Sequence, residues 1–519
     1  MTQAKFSASS AQLGKGSAPC FTSEDLMQQE QRKTGSDVVP VEANGLNRSI
    51  PPEDEIAALK LELEQKGVQY CLPAYVDIHG IPKSKSVPIS HFERAMRGSE
   101  LFTGAALDGL GQDTHDDELA LHPDPRAVTQ LPWRPKVAWM PGNLRLHGEP
   151  WPMCSRTVLQ RQLDRAARLG MRFNLGVECE FFLVRVDGNR VTPANPKMVM
   201  HKAAYDVLGL LESMDWLEEV IGCMNQLGWN VHCFDHEDAN SQFEIDFEYA
   251  DALTTADRYV LFRLMAKELA RKHGVEVTFM PKPFTDRTGS AAHFNMSLAS
   301  TKTGENLFAD ASDSRSMGLS KLAYQFVAGI LKHGEAVVAT ACSTVNSYKR
   351  LIKTGSRTGA TWAPVYISYG DNNRTHMIRV PKVNPHVENT DTIAKERRHP
   401  YLSGKRVECR AVDPTMNPYL AAAMMLGAGL DGIEHDLDPG DPINLNMYNL
   451  NDTELAQKQV RTLPRTLDDA IKAFAADDLS RTVMGEDLYQ AFVSLKQQEW
   501  WDFHTHVSEW EIQRYLTKF

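Results

Sequence analysis

Two glutamates, Glu178 and Glu180, stand one residue apart inside Gly176-Val177-Glu178-Cys179-Glu180-Phe181-Phe182-Leu183-Val184. The run is short and dominated by β-branched and aromatic residues, so it reads as a buried strand. At i and i+2 of a strand both carboxylates project from one face. Like charges buried side by side are costly unless cations neutralise them. A lone Glu-x-Glu is more often a strand with a solvated face, but the apolar flanks and more carboxylates downstream weigh against that. Asn230 to Glu237 and then Gln242 to Phe247 read as a hairpin that brings Glu237 and Glu244 toward the first pair. His293 lies in an alternating strand after the glycine turn at Gly289, and Arg406, Glu408 and Arg410 share one strand face. A single histidine would ordinarily be a core residue and a single arginine an ion-pair partner. Five glutamates and one histidine without a thiolate instead suit Mg²⁺ or Mn²⁺ better than Zn²⁺. Divalent cations beside Arg350, Arg374, Arg379, Arg406 and Arg410 point to polyphosphate, whose developing charge both would neutralise.

The chain that must position these groups has 519 residues, 42% of them hydrophobic, and can bury a large core in more than one domain. A formal net charge of −11 gives no footprint for nucleic acid. No apolar run approaches the roughly 20 residues that span a bilayer, and the N-terminal stretch has no signal-peptide h-region, so no membrane partner is expected. Eight cysteines without C-x-x-C pairing suit a reducing cytoplasm. Residues 1–52, rich in Ser, Gln, Gly and Lys, read as a disordered or weakly ordered arm. A helix from Glu53, strands from Tyr70, a turn at Ile78-His79-Gly80, and a glycine-rich stretch from Gly104 to Gly111 fill a small α+β domain over 53–150. From 151 to 519 long helices, expected at about 204–227, 252–273, 317–340, 418–434 and 486–517, alternate with short strands. There is no GxGxxG or P-loop, so phosphate binding must use side chains and metals.

These pieces resemble the glutamine synthetases: V-E-C-E-F-F, D-H-E-D-A-N-S-Q-F-E, F-M-P-K-P, G-S-A-A-H-F-N-M-S, N-S-Y-K-R-L, N-N-R-T-H-M-I-R-V-P and R-V-E-C-R-A-V-D-P-T-M-N-P-Y-L occur in the family's order. The resemblance implies an α+β fold, with a small N-terminal β-grasp-like domain and a large catalytic domain of antiparallel sheet and flanking helices. It also implies a homo-oligomer, commonly a dodecamer of two hexameric rings, with active sites between subunits. By motif position Glu180, Glu237 and Glu244 match ligands of one metal, and Glu178, His293 and Glu408 those of a metal bridging the ATP phosphates, with two or three Mg²⁺ or Mn²⁺ per site. Arg350 and Arg410 match glutamate- and intermediate-contacting arginines. Arg374, Arg379 and Arg406 match those around the transferred phosphate and nucleotide. Gly289 falls in the glutamate-binding turn, Tyr249 near the adenine, Ser297 near the nucleotide, and Asp108 matches an aspartate that a neighbouring subunit supplies to the ammonium site. The implied chemistry makes γ-glutamyl phosphate from glutamate and ATP, and an amine then displaces phosphate.

Four departures stand out. Thr361-Trp362-Ala363-Pro364 places Trp362 where the family's flap carries a glutamate, and the preceding loop, Ile352 to Ala360, is longer. An anionic flap favours ammonium, whereas an indole offers an apolar wall and a π-face suited to an alkylamine or an arylamine such as aniline. Asn295 replaces a nucleotide-side histidine and Thr288 a glutamate-binding asparagine. The expectation is therefore a ligase forming γ-glutamyl amides, of the γ-glutamylmethylamide or γ-glutamylanilide synthetase type. Plain glutamate–ammonia ligation is the alternative.

Overall fold

The computed structural model describes residues 52–519 apart from 189, 199, 201, 354–360 and 383–403. The arm expected over 1–52 lies almost wholly outside the described residues, and so does most of the Ile352–Ala360 loop. Everything described belongs to one compact unit, 43–519, and is built on two sheets.

The first sheet is preceded by helix α1 (Glu53–Gln65) and organised around β1 (Tyr70–Val76), β2 (Leu119–Pro123) and β3 (Arg134–Leu146). β1 runs parallel to β3, with Tyr70 opposite Val137, while β2 pairs antiparallel with β3. Beyond it, helix α2 (Ser155–Arg168) carries Arg156 into the protein's interior. Its guanidinium bonds Asp257 through Nε (3.0 Å) and Nη2 (2.9 Å), Asp124 through Nη2 (3.0 Å) and Asn143 through Nη1 (2.6 Å). Asp257 belongs to helix α3 (Ala252–Lys272), so one buried arginine ties the first sheet's strand ends to the helices of the second. Removing this cation would strand the Asp257 carboxylate in low dielectric, while Asp124 keeps its pair with Arg126 (2.8 Å).

The second sheet has eleven strands, ordered around β4 (Met171–Asp187), β5 (Val231–His236), β6 (Gln242–Phe247), β7 (Ala292–Ser300), β8 (Tyr366–Asp371), β9 (His376–Val380) and β10 (Val407–Cys409). The path runs β5-β6-β4-β7-β10-β9-β8, antiparallel throughout except for the parallel pair β8·β9. The acidic strand is longer than its apolar run suggests, because β4 spans 17 residues and pairs with five neighbours. Its alternation decides the architecture. Val177, Cys179 and Phe181 on β4, Phe243 and Ile245 on β6, Phe294 and Met296 on β7, and Cys409 on β10 all point into one buried cluster. Helix α3 covers that face, with Phe262 6.0 Å from the Phe181 ring centroid. Each such side chain, fully buried, is worth about 1.5–3 kcal/mol, and together they make the sheet a rigid plate. With a period of two, the other face must then carry every second residue. Those residues are the charged ones.

Helix α4 (Pro418–Glu434), capped by Asn417, is buried along nearly its whole length. No helix among the described residues is long and apolar enough to cross a membrane.

Candidate active site

Strand register assembles the site. Across β6 and β4, Glu244 lies opposite Glu180, and Asp235 of β5 continues that row. In the next row His293 of β7 faces Glu178. One step further, Asn295 pairs with Gly176 on one side and Glu408 on the other, and Glu408 with Arg379. Glu237 follows β5 directly, in the hairpin, where its backbone N–H donates to the Gln242 carbonyl (2.8 Å) and its carboxylate accepts from the Asp238 N–H (3.0 Å). Residues far apart in sequence, from Glu178 to Glu408, are thus brought onto one face by the pairing of six strands.

Two groups of oxygen and nitrogen donors result: Glu180, Glu237 and Glu244, and Glu178, Glu244 and His293. Within each group the donor atoms lie within 4.8 Å of one another. The first is the trio expected from sequence. In the second, Glu244 joins Glu178 and His293, while Glu408 stands slightly back, its Oε1 3.7 Å from His293 Nδ1. Burial raises the Glu180 acid against the opposing pull of Arg350, the Ala291 N–H and Arg410; burial and then neighbouring carboxylates raise Glu244, and push Glu237 up to about 8 and Asp246 to about 7. His293 is driven well below its usual range, first by burial and then by Arg410, so it is a neutral donor. Clustered carboxylates held close together by burial and one neutral imidazole, with no thiolate among them, form a donor set that fits a hard divalent cation.

Glu408 marks the other border. Burial opposes its ionisation, but the guanidiniums of Arg410 and Arg379 outweigh it and hold the carboxyl below its ordinary value. Arg379 Nη1 and Arg410 Nη1 each donate to it at 2.6 Å. Arg350 is fixed by donating from Nη2 to the Arg410 carbonyl (3.0 Å). Its Nη1 and the Nε of Arg410 are buried with no hydrogen-bond partner among the described residues. Buried guanidinium N–H groups are ordinarily satisfied, so two unfilled ones on arginines joined to each other suit an anionic ligand. Gly289 makes this packing possible, because a Cβ there would lie 2.5 Å from the Pro281 carbonyl and 2.9 Å from Arg350 Cγ. Asn346 locks the two motifs together by accepting from the Lys282 N–H (2.8 Å) and donating to its carbonyl (3.1 Å).

The remaining sequence-derived residues fall around this face. Asn295 links the two sides, donating to Glu178 (2.9 Å) and accepting from Arg406 Nε (2.6 Å). Tyr249 stands over Gly176, whose missing side chain leaves 3.3 Å to the Tyr249 Cβ, and Ser297 accepts from Asn174 (3.4 Å). Arg374 is exposed on the turn between β8 and β9. Thr288 is engaged by Asp238. Trp362 is 45% exposed at a positive φ of 53°, a backbone region that a large side chain rarely adopts. Its neighbour Ala363 is held by the Tyr448 hydroxyl, which donates to the Ala363 carbonyl (2.7 Å) and lies within the fields of Arg410 and Arg350. The flap segment therefore borders the arginine side. Asp108 is placed elsewhere, on the first-sheet side, with His79 as its partner at 3.0 Å.

Tyr205 was not anticipated. It sits at φ 65°, its N–H bonded to the His236 carbonyl (2.8 Å), and burial and the charges of Glu237 and Asp235 raise its hydroxyl pKa. Tyr205 lies at the start of the stretch expected as a helix over about 204–227, and the local pattern there carries no signal of this role.

Comparison with known proteins agrees with this geometry. The family described as "Glutamine synthetase, catalytic domain" matches residues 152–515. A glutamate–methylamine ligase of Methyloversatilis universalis is 39% identical over 458 residues, 88% of this chain and 98% of that protein. A glutamine synthetase of Rhizobium meliloti is 36% identical over 452 residues, 87% of this chain and 97% of that protein. Among solved structures, a GmaS–ADP complex superposes with a TM-score of 0.79 at 37% identity, covering 88% of this chain and 99% of that one.

Proposed function

Since the chain belongs to the glutamine synthetase family, we propose that it is an ATP-dependent ligase joining the γ-carboxylate of glutamate to an amine through γ-glutamyl phosphate, with release of ADP and phosphate. One observation carries this reading: a single sheet face holds two carboxylate groups suited to divalent cations beside a buried pair of arginines with unfilled N–H groups. An anion that must lose or gain phosphoryl charge would find both its counter-ions there.

Arg350 and the Gly289 turn bind glutamate, with Arg410 reaching the intermediate. Arg379, Arg406 and Arg374 surround the transferred phosphate. Tyr249, Asn295 and Ser297 line the nucleotide side. Glu180, Glu237 and Glu244, and Glu178, His293 and Glu408, would hold two or three Mg²⁺ or Mn²⁺ ions, which supply charge neutralisation at the phosphates when bound. Asp108 deprotonates the amine from a neighbouring subunit, as the homo-oligomeric ring, a dodecamer of two hexamers, would require. Water must be excluded, since an acyl phosphate hydrolyses. The reading places the enzyme in the cytoplasm.

Trp362 supports an organic amine over ammonium, because an indole replaces a carboxylate where a cationic nucleophile would otherwise be attracted. The relative from Methyloversatilis universalis is named for methylamine, which makes a small alkylamine the first substrate class to test and an arylamine the second. Phosphate release from ATP with glutamate and Mg²⁺ or Mn²⁺ should be measured across ammonium, methylamine, ethylamine, isopropylamine and aniline. An organic amine should give the highest kcat/KM. A wide margin for ammonium would reduce Trp362 to a flap residue and make this a glutamate–ammonia ligase.

A further inference from the structure

His79 is the partner of Asp108, and its surroundings are more elaborate than an exposed contact needs. Its Nε2 lies 3.0 Å from Asp108 Oδ2, with the two side chains 33% and 64% exposed. Exposed pairs of this sort contribute little to stability. Yet the turn carrying His79 is anchored at every point. The buried Asp77 accepts through Oδ1 from the N–H groups of His79 (3.0 Å) and Ile81 (2.9 Å), and its Oδ2 faces Lys83 at 3.3 Å. Arg263 of α3 donates to the Gly80 carbonyl (2.6 Å), and Asn417, the cap of α4, donates to the Asp77 carbonyl (2.8 Å). The Asp108 side is fixed against the same turn. Gly109 adopts φ 74°, and a Cβ there would lie 2.8 Å from the Ile78 side chain, so the loop closes on the residue just before His79. Two helices that support the second sheet thus hold the backbone of the turn from which the imidazole projects, and the imidazole meets a carboxylate that no other described side chain bonds.

We infer that His79 is a positioning residue for Asp108, donating from Nε2–H to Oδ2 so that Oδ1 stays free and correctly aimed at the incoming amine. The inference rests on the proposed role of Asp108 as the base of the amine step. In that step the alkylammonium ion gives one proton to Asp108, and its nitrogen lone pair attacks the acyl carbon. The C–N bond forms, and the C–O bond to phosphate breaks with its electron pair leaving on phosphate. The second nitrogen proton departs with the phosphate as hydrogen phosphate. A carboxylate with two free rotamers would serve this poorly, because effective concentration depends on orientation. One hydrogen bond to a rigid platform removes that freedom.

His79→Ala, His79→Gln and Asp108→Asn are to be compared in the assembled enzyme, with methylamine, glutamate and ATP varied separately. With His79→Ala, kcat/KM for methylamine should fall about tenfold or more, the size of a lost positioning hydrogen bond. KM for glutamate and for ATP should stay within about twofold. His79→Gln, whose amide can still donate, should recover a large part of the loss, which a purely structural role would not do. Asp108→Asn should abolish amide formation. If Asp108→Asn is inactive while His79→Ala matches the parent enzyme, or loses equally in all three substrates, the inference about His79 falls and the role of Asp108 stands. If Asp108→Asn retains full activity, the reading of Asp108 falls and takes this inference with it.

Discussion

Replacing Glu237 by Gln removes one of three carboxylates whose oxygens lie within 4.8 Å of one another. Two unit charges at that distance repel by about 3–4 kcal/mol at an effective dielectric of 20. Burial first, then Glu180 and Asp235, raise the Glu237 acid from 4.5 to about 8 in the metal-free fold. The unfolded chain gives up this proton near 4.5, whereas the folded chain keeps it to about 8. The native state therefore binds more protons in that window, and its stability falls as pH rises from 4.5 to 8. A rise of that size is worth at most about 5 kcal/mol; Glu237 is partly exposed, and screening brings the working figure to about 2–3 kcal/mol. In EDTA at pH 8.5, Glu237→Gln should accordingly resist denaturant better than the parent by about 2 kcal/mol, with the gap closing toward pH 5. Saturating Mg²⁺ or Mn²⁺ should reverse the order, since a cation that binds only the native cluster stabilises it by mass action. Denaturant titrations at both pH values, with and without metal, read both effects. A variant less stable than the parent in EDTA at pH 8.5, or one gaining as much from metal as the parent, would refute the view that the cluster awaits a cation.

Other consequences follow from particular residues. Arg156→Met leaves Asp257 and Asp124 without their shared cation and should cost about 3–5 kcal/mol in unfolding experiments, against little effect from an exposed arginine such as Arg271. His333 accepts burial but is bonded to Asp477 (2.7 Å) and Asp431 (3.0 Å), which together raise its pKa above 6.5. Its contribution is full below about 6.5 and disappears as pH climbs through the higher folded value, so His333→Asn should flatten the stability–pH curve above 6.5. Trp362→Glu should move the ratio of kcat/KM from methylamine toward ammonium by about tenfold, a 1.4 kcal/mol change in discrimination. An unchanged ratio would remove the tryptophan from the amine pocket.

Much of the site could be read from the chain because strand alternation is a strict code. Once Val177, Cys179 and Phe181 are recognised as core, Glu178 and Glu180 have only one face left. Which carboxylate sits opposite which is different information, since it depends on register. Only the pairing of β6 with β4 shows Glu244 directly across from Glu180 and serving both groups. Helix ends were harder. The stretch expected as 204–227 is two helices, Val207–Leu211 and Met214–Gln226, with Asp206 capping the first by accepting from the Gly209 N–H (2.6 Å). The last expected helix breaks before Ser508, which forms a capping box with Glu511; that Ser-x-x-Glu spacing was visible, but apolar periodicity on both sides concealed it. Tyr205 escaped notice because its value lies in a left-handed backbone beside Glu237, and nothing in a local pattern announces that.

On the proposed route the γ-carboxylate of glutamate becomes an acyl phosphate on this face before the amine arrives. Glutamate labelled with ¹⁸O in its γ-carboxylate, turned over with ATP and methylamine, tests it by mass spectrometry of the released phosphate. Transfer of one labelled oxygen into each phosphate is the expected result, because that oxygen bridges carbon and phosphorus in γ-glutamyl phosphate and leaves with the phosphoryl group. Phosphate free of label, formed at the same rate as the amide, would mean that ATP is cleaved without activating glutamate, and the account would be wrong.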